Sequence, residues 1–219
     1  MKQDIIFWNV DTQYDFMRPD GKLPVEGAQS IEPNLEKITK YAMDHNLQVV
    51  NTRDWHTKED AEISNTPDFV ATYPEHCMAG TIGADYVPAT KPMSSQVVDL
   101  EDVAETDLKK ISDYRNIVIN KNKFDVYAGN KFTHTLVDIL DPAAMVVYGV
   151  ATNVCVDQAV MGHRNKGIDV YVIEDAIKHL PHLDADPVMS KEATLKKWQD
   201  NGVQLIQTEQ LDSIVGQYR

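Results

Sequence analysis

Short apolar runs rich in β-branched residues alternate along the chain with longer stretches in which apolar positions recur at helical spacing. The short runs predict six strands, at residues 4–10, 48–52, 116–120, 144–148, 169–173 and, as an edge strand, 204–206. The longer stretches predict helices at residues 31–45, 131–140, 153–165 and 187–199. Strands that alternate with helices favour a three-layer α/β/α fold with a mainly parallel, Rossmann-like sheet of about six strands.

The region from residue 55 to about residue 89 breaks this alternation, because its prolines and glycines interrupt every periodic pattern. A loop of this length in a compact domain is generally functional or disordered. Its aromatic residues and two histidines, His56 and His76, favour a functional role. The chain contains no internal repeat, low-complexity tract or linker, so residues 1–219 are predicted to form a single domain.

The charge balance limits the partners of the chain. Its 21 Lys and Arg against 34 Asp and Glu give a net charge of -13, which repels nucleic acid and anionic membranes. No apolar run approaches the roughly 20 residues that span a bilayer, and the amino terminus lacks a signal-peptide pattern. We therefore expect a cytoplasmic protein. Its two cysteines, Cys77 and Cys155, are far apart and are not expected to form a structural disulfide.

Chemically useful side chains follow several of the predicted strands. Asp11 ends the first strand, Lys121 ends the strand at 116–120, and the strand at 144–148 leads through a glycine to Cys155. In open α/β sheets, ligands bind beyond the carboxyl ends of the strands, so these side chains should share one edge. A thiol in the first turn of a helix is expected to have a lowered pKa, and nearby backbone N–H groups suit an oxyanion.

Each of these residues also has an ordinary explanation. A free cysteine is commonly a small buried apolar residue, an aspartate often ends a strand, and a lysine often caps a loop. The catalytic interpretation needs all three together. The thiol of Cys155 would then act as the nucleophile, the carboxylate of Asp11 would take and return its proton, and Lys121 would pair with both.

Three segments resemble those of the isochorismatase-like cysteine hydrolases. Residues 11–16 (DTQYDF) are similar to the D-x-Q-x-D-F opening of that superfamily, residues 121–124 (KNKF) to its lysine segment, and residues 149–156 (GVATNVCV) to its nucleophile segment, G-x-A-T-x-x-C-V. They occur in the family order, within a resemblance that spans about residues 4–180.

This resemblance implies a six-stranded parallel sheet and a catalytic triad of Asp11, Lys121 and Cys155. It also implies a cis peptide bond between Val150 and Ala151, which turns the Ala151 N–H, beside that of Cys155, toward the oxyanion. Family members are commonly dimers or tetramers, so a homo-oligomer is expected.

A metal site is suggested by the long irregular region. Asp54 and His56 stand two residues apart after a strand, and His76 follows later; a carboxylate with neutral imidazoles suits Zn²⁺, Fe²⁺ or Mn²⁺. Loop histidines are also often plain polar surface. The segments DWH and PEHCMAGT are similar to the metal site of nicotinamidases, and this resemblance implies Asp54, His56 and His76 as ligands. We expect a divalent metal, zinc ahead of iron or manganese.

Glu62 stands where some nicotinamidases have a further histidine; it either ligates directly, ligates through water or is a solvated side chain. By family position Cys77 is not the nucleophile, and we interpret it as a packed loop thiol. Phe16 and Tyr73 match positions whose rings line the substrate pocket, although Phe16 is equally explained as a core residue.

The leading functional hypothesis is hydrolysis of a small carboxamide, nicotinamide above all, to its acid and ammonia. Two departures leave the amide open: Asn122 replaces a glycine that often follows the lysine, and Asn153 replaces an acidic residue frequent in nicotinamidases. The alternatives are hydrolysis of a ureido or N-carbamoyl amide, and a non-catalytic or thiol-redox binding protein that retains the fold.

Overall fold

A computed structural model describes residues 3–69, 71–101 and 103–218 of the chain. Its strands are β1 (Ile5–Val10), β2 (Val49–Asp54), β3 (Gln96–Val98), β4 (Asn116–Lys121), β5 (Ala144–Val150), β6 (Asp169–Lys178) and β7 (Gln204–Ile206). They form one sheet in the order β3-β4-β2-β1-β5-β6-β7, and all neighbouring strands are parallel. The predicted three-layer α/β class is confirmed, with seven strands in place of about six.

Helices connect and cover these strands. They are α1 (Tyr14–Met17), α2 (Glu32–Asp44), α3 (Glu105–Ile111), α4 (Val126–Gly129), α5 (Thr133–Leu140), α6 (Asp157–Asn165), α7 (Lys191–Asp200) and α8 (Leu211–Val215). A π-helical turn, Thr152–Val156, leads from β5 into α6. Within the described part of the chain, no helix combines the length and the apolar character that crossing a bilayer requires.

The sequence pattern missed the elements that bury little apolar surface. Strand β3 has three residues, of which only Val98 is buried, and helix α3 buries only Leu108. Such elements leave almost no periodic signal. Strand β6 also runs five residues further than predicted, because it continues through Glu174 and Asp175 and pairs again with β5 beyond a register shift.

The central strands of the sheet are shielded from solvent. Every residue of β1 and of β5 is buried, which explains why both appear in the sequence as continuous apolar runs. On one face, helix α2 packs its predicted stripe of Leu35, Ile38 and Ala42, all fully buried. Two of the strands that lead to the candidate chemistry, β1 and β5, are therefore packed on both faces.

A further buried histidine, His163, lies in helix α6. The Nδ1 atom of His163 is 2.7 Å from the hydroxyl oxygen of Tyr127, and its ring packs edge-on against Trp8. Its Nε2 atom has no hydrogen-bond partner among the described residues. Burial, with a smaller contribution from the charge of Lys166, lowers the pKa of His163 to about 3, so the folded protein keeps this imidazole neutral.

We predict that His163 makes the protein sensitive to mild acid. A histidine in the unfolded chain has a pKa of about 6.5 and takes up a proton that folded His163 refuses, so the free energy of unfolding should fall by about 2 kcal/mol between pH 7 and pH 5 from this residue alone. Denaturant unfolding at both pH values should show a smaller loss for His163→Gln than for the wild type. The matched control is His182→Gln, which removes an exposed histidine; an equal loss in all three proteins would contradict the prediction.

Candidate active site

The sheet brings the candidate residues to one edge. Strand β1 lies between β2 and β5, and β2 pairs with β4, so the carboxyl ends of four strands are neighbours. Asp54 and Lys121 are register partners at the ends of β2 and β4. Asp11 directly follows β1, and Cys155 lies in the π-helical turn after β5. The predicted convergence of a carboxylate, an amine and a thiol is therefore present.

The amine of Lys121 is the centre of this group. Its Nζ lies 2.9 Å from Oδ2 of Asp11 and 3.7 Å from Sγ of Cys155, and it also hydrogen-bonds to Oδ1 of Asp54. The carboxylates of Asp11 and Asp54 and the thiol of Cys155 lie within 4.8 Å of one another. All four side chains are buried. A proton can pass between the thiol and Asp11 without leaving this cluster.

Burial favours a proton on Asp11, whereas the hydrogen bonds that its carboxylate accepts oppose it. Its backbone has a φ of 47°, and the hydroxyl of Thr52 donates a 2.6 Å hydrogen bond to its Oδ1. Burial raises the pKa of Asp11; Lys121 opposes this rise and the charge of Asp54 adds to it. Burial alone would lower the pKa of Lys121, but the two carboxylates hold that pKa well above its usual range, so the amine stays charged.

The predicted low pKa of Cys155 is wrong. Burial raises the pKa of its thiol well above the ordinary value, Lys121 opposes this, and the charges of Asp11 and Asp54 add to the rise. The sulfur also sits in a π-helical turn rather than in the first turn of a regular α-helix. Burial therefore favours the protonated thiol of Cys155, and a neighbouring base would have to remove its proton before the sulfur could act as a nucleophile.

The peptide bond between Val150 and Ala151 is cis, as the family resemblance implies. It follows Gly149, whose φ is 119° and whose hydrogen atoms face the backbone of β1; a side-chain carbon there would lie 2.1 Å from the carbonyl oxygen of Val10. Only glycine fits this position. The close approach of β5 to β1 places Val150, Ala151 and Cys155 together in one pocket wall.

Asp54, His56 and His76 form a second cluster beside the first. All three are buried, and the Nε2 atoms of both histidines lie 3.8 Å from Oδ2 of Asp54. Nδ1 of His76 lies 2.8 Å from the carbonyl oxygen of Pro74, which accepts its proton and leaves Nε2 free to bind a cation.

This second cluster fits a divalent metal. Among the described residues, neither nitrogen of His56 has a hydrogen-bond partner, and a buried imidazole in that state is destabilising unless something binds it. Two imidazoles and one carboxylate are the donors that Zn²⁺, Fe²⁺ and Mn²⁺ take in proteins. Lys121 and both histidines hold the pKa of Asp54 below its usual range despite its burial, so it is an anionic ligand.

Glu62 lies outside the group formed by Asp54, His56 and His76. Its Oε1 accepts a 3.1 Å hydrogen bond from the N–H of Phe124, and its buried Oε2 has no hydrogen-bond partner within the described ranges. Burial, aided by the charge of Asp54, raises the pKa of Glu62 to about 7. Its role as a ligand stays a prediction.

A pocket of about 220 Å³ opens beside both clusters. Phe16 and Tyr73, predicted as pocket residues, both lie in its wall, and His76 and Cys155 face the same space. The pattern did not single out the other apolar side chains that complete the wall: Leu23, Pro24, Val25, Phe69, Phe124, Val154, Leu180 and Pro181. A flat aromatic molecule of small size suits such walls.

Two polar residues of the DTQYDF segment hold in place the candidate metal-binding group of Asp54, His56 and His76, called the metal cluster below. The side chain of Gln13 hydrogen-bonds to both the carbonyl oxygen (2.8 Å) and the N–H (2.7 Å) of Asp54. Asp15 accepts a 2.7 Å hydrogen bond from the N–H of Cys77, next to His76. Sequence reasoning assigned them no role, although polar residues placed directly after a buried strand were a usable signal.

Fold and site together define a three-layer α/β protein with a buried Asp–Lys–Cys group at the carboxyl edge of its sheet. The family model for the isochorismatase domain matches residues 6–210. The chain belongs to the isochorismatase family of hydrolases.

One curated relative matches part of the chain. The nicotinamidase/pyrazinamidase of Mycobacterium tuberculosis (strain ATCC 25618 / H37Rv) is 34% identical over 89 residues, which are 41% of this chain and 47% of that protein. The match therefore spans about half the length of that relative.

Solved structures share the fold over nearly the whole chain. The pyrazinamidase of Pyrococcus horikoshii, determined in complex with zinc, is 22% identical with a TM-score of 0.69 and covers 93% of this chain and 99% of its own. The N-carbamoylsarcosine amidase of Thermoplasma acidophilum is 16% identical with a TM-score of 0.69 and covers 94% of this chain and 97% of its own. At sequence identities this low, the similarity to these two structures shows only a shared fold.

We predict that a neutral alkylating agent modifies Cys155 in preference to Cys77. Cys155 lines the pocket, whereas Cys77 is completely buried with its sulfur 3.7 Å from the carbonyl oxygen of Gly83. Because the raised pKa keeps the Cys155 thiol protonated, its rate with iodoacetamide should keep rising with pH up to at least about pH 9. Peptide mass spectrometry over a pH series measures both rates; a plateau below pH 8 would show that the thiolate forms more easily than this site indicates.

Proposed function

We propose that this protein is a metal-assisted cysteine amidohydrolase that cleaves a small carboxamide, and that its substrate is nicotinamide, released as nicotinate and ammonia. The observation that carries the proposal is the position of Lys121, whose amine contacts Asp11, Asp54 and Cys155 at the wall of an aromatic pocket. This arrangement places a nucleophile (Cys155), a proton carrier (Asp11) and a fixed cation (Lys121) beside one pocket of substrate size.

The first half of the reaction forms a thioester. Asp11 takes the proton from the sulfur of Cys155, and the thiolate attacks the carboxamide carbon. The backbone N–H groups of Ala151 and Cys155 stabilise the oxyanion. The C–N bond breaks as Asp11 gives its proton to the departing nitrogen, which leaves as ammonia.

The second half returns the enzyme to its starting state. Asp11 takes a proton from water as the water oxygen attacks the thioester carbon, and the acid leaves as the C–S bond breaks. The proton then returns to the sulfur of Cys155. Throughout, the charged amine of Lys121 stabilises whichever of Asp11 and Cys155 is negative.

The metal cluster supports the choice of a heteroaromatic amide. Asp54, His56 and His76 would hold a divalent cation, which would supply a Lewis acid for a ring nitrogen, while Phe16 and Tyr73 pack against the ring. Zinc is our preferred metal, since the donor set suits it and the pyrazinamidase of Pyrococcus horikoshii was solved with zinc. We further propose a cytoplasmic homo-oligomer whose partner is the small amide.

We predict that Cys155→Ala reduces ammonia release from nicotinamide by about a thousandfold or more, because no other group of the site can form the thioester. Cys77→Ser, at the second buried thiol, is the matched control and should retain activity within a few fold. A coupled ammonia assay measures both. Release of ammonia by Cys155→Ala at the wild-type rate would rule out the thioester mechanism.

We predict that removal of the metal weakens nicotinamide hydrolysis at least about tenfold in kcat/KM, and that added Zn²⁺ restores it. His76→Ala should lower the bound metal measured by elemental analysis, whereas His182→Ala, at an exposed histidine that also lines the pocket, should leave it unchanged. The same assay on N-carbamoyl amides separates the alternative: activity on these alone, unaffected by chelator, would replace nicotinamide with a ureido substrate.

A further inference from the structure

His56 lies between two carboxylates. Its ring is completely buried, and its Nε2 is 3.8 Å from Oδ2 of Asp54 inside the metal cluster. On the opposite side of the ring, Nδ1 is 3.5 Å from Oδ2 of Asp60. Neither nitrogen makes a hydrogen bond to another described residue. A movement of a few tenths of an ångström would bring Nδ1 within hydrogen-bond distance of Asp60.

Asp60 itself is fixed from two directions. Its Oδ2 accepts a 2.7 Å hydrogen bond from the N–H of Thr57, and its Oδ1 accepts a 2.9 Å hydrogen bond from the side-chain amide of Asn122. Asn122 directly follows Lys121, so the contact joins the loop of the metal cluster to the strand that carries the central amine. The backbone bond from the Trp55 N–H to the Lys121 carbonyl oxygen, 2.8 Å, joins the same two segments.

The two carboxylates compete for the N–H of His56. A neutral imidazole carries one N–H, and both ring nitrogens face an anion here: Oδ2 of Asp60 is 3.5 Å from Nδ1, whereas Oδ2 of Asp54 is 3.8 Å from Nε2. The nearer carboxylate, Asp60, favours the N–H on Nδ1, and this leaves the lone pair on Nε2, which points into the metal cluster. His76 reaches the same state through the carbonyl oxygen of Pro74, so an oxygen faces the Nδ1 of each histidine.

We propose that Asp60 is a positioning residue for His56: held by Asn122, it selects the tautomer and the ring orientation that bind a divalent cation through Nε2. The inference rests on the metal site of the proposed function. It adds to that site a residue that touches neither the cation nor the substrate. Outer-shell carboxylates of this kind raise the basicity of the ligand and contribute about 10- to 100-fold to metal affinity.

The test compares Zn²⁺ dissociation constants of the full chain, measured by competition with a chromophoric chelator. We expect Asp60→Asn to weaken Zn²⁺ binding about 10- to 100-fold and Asn122→Ala to weaken it several-fold, with little further loss in the double variant because both act through one contact. Glu59→Gln is the matched control, since it removes the same charge from an exposed neighbour of Asp60, and it should bind within twofold of the wild type.

A second measurement separates positioning from loss of structure. In the Co²⁺-loaded protein, the visible absorption bands report the ligand field, so Asp60→Asn should shift them while Glu59→Gln leaves them in place. If Asp60→Asn does not fold, Asn122→Ala with an unchanged thermal midpoint decides the matter by its Zn²⁺ affinity and spectrum.

The outcomes distinguish this inference from the proposal on which it rests. Suppose that the wild type binds Zn²⁺ and that Asp60→Asn and Asn122→Ala bind it with the same affinity as Glu59→Gln. That result would overturn the role of Asp60 and leave the metal site intact. Wild-type protein that binds no Zn²⁺ would overturn the metal site itself, and the role of Asp60 with it.

Discussion

The site depends on the ion pairs and hydrogen bonds that the buried amine of Lys121 makes with its neighbours. Charged groups are expensive to bury, and they persist in a protein interior only when they are paired and hydrogen-bonded. Asp11 and Asp54 would each be destabilising in this dry edge of the sheet without the lysine between them. The same cation lies 3.7 Å from the sulfur of Cys155, so the amine that offsets the charge of the two carboxylates would also stabilise a thiolate at Cys155.

Charge balance explains why two clusters stand side by side. One ammonium faces two carboxylates and a thiol that must lose its proton, so this part of the interior carries excess negative charge. Two buried histidines complete the environment of Asp54, and their Nε2 atoms face its oxygen. A divalent cation in that position would remove the excess, and the chemistry of the donors suits it. Asp54 thus belongs to both clusters and couples them electrostatically.

Much of the fold and of the candidate site was predictable from the sequence. The failed predictions concern properties that depend on burial and on contacts between segments remote in sequence. Asp11 and Lys121 were found because each directly follows an apolar run, and the central strands were found because they are buried on both faces. The pKa of Cys155 was predicted in the wrong direction, because local position suggested a helix terminus while burial determined the outcome. Asp60 gave no signal, and Asn122 stood out only as a departure from the family pattern, since the two lie in separate loops that only the packed sheet brings together.

By itself, the sequence determined the class of fold and the identity of the side chains that meet at the sheet edge, because hydrophobic periodicity and residues placed after strands are local properties of the chain. The tertiary structure decided which groups touch and in which direction each pKa moves. Those quantities depend on distance and on the exclusion of water, and both arise only when strands remote in sequence pair side by side.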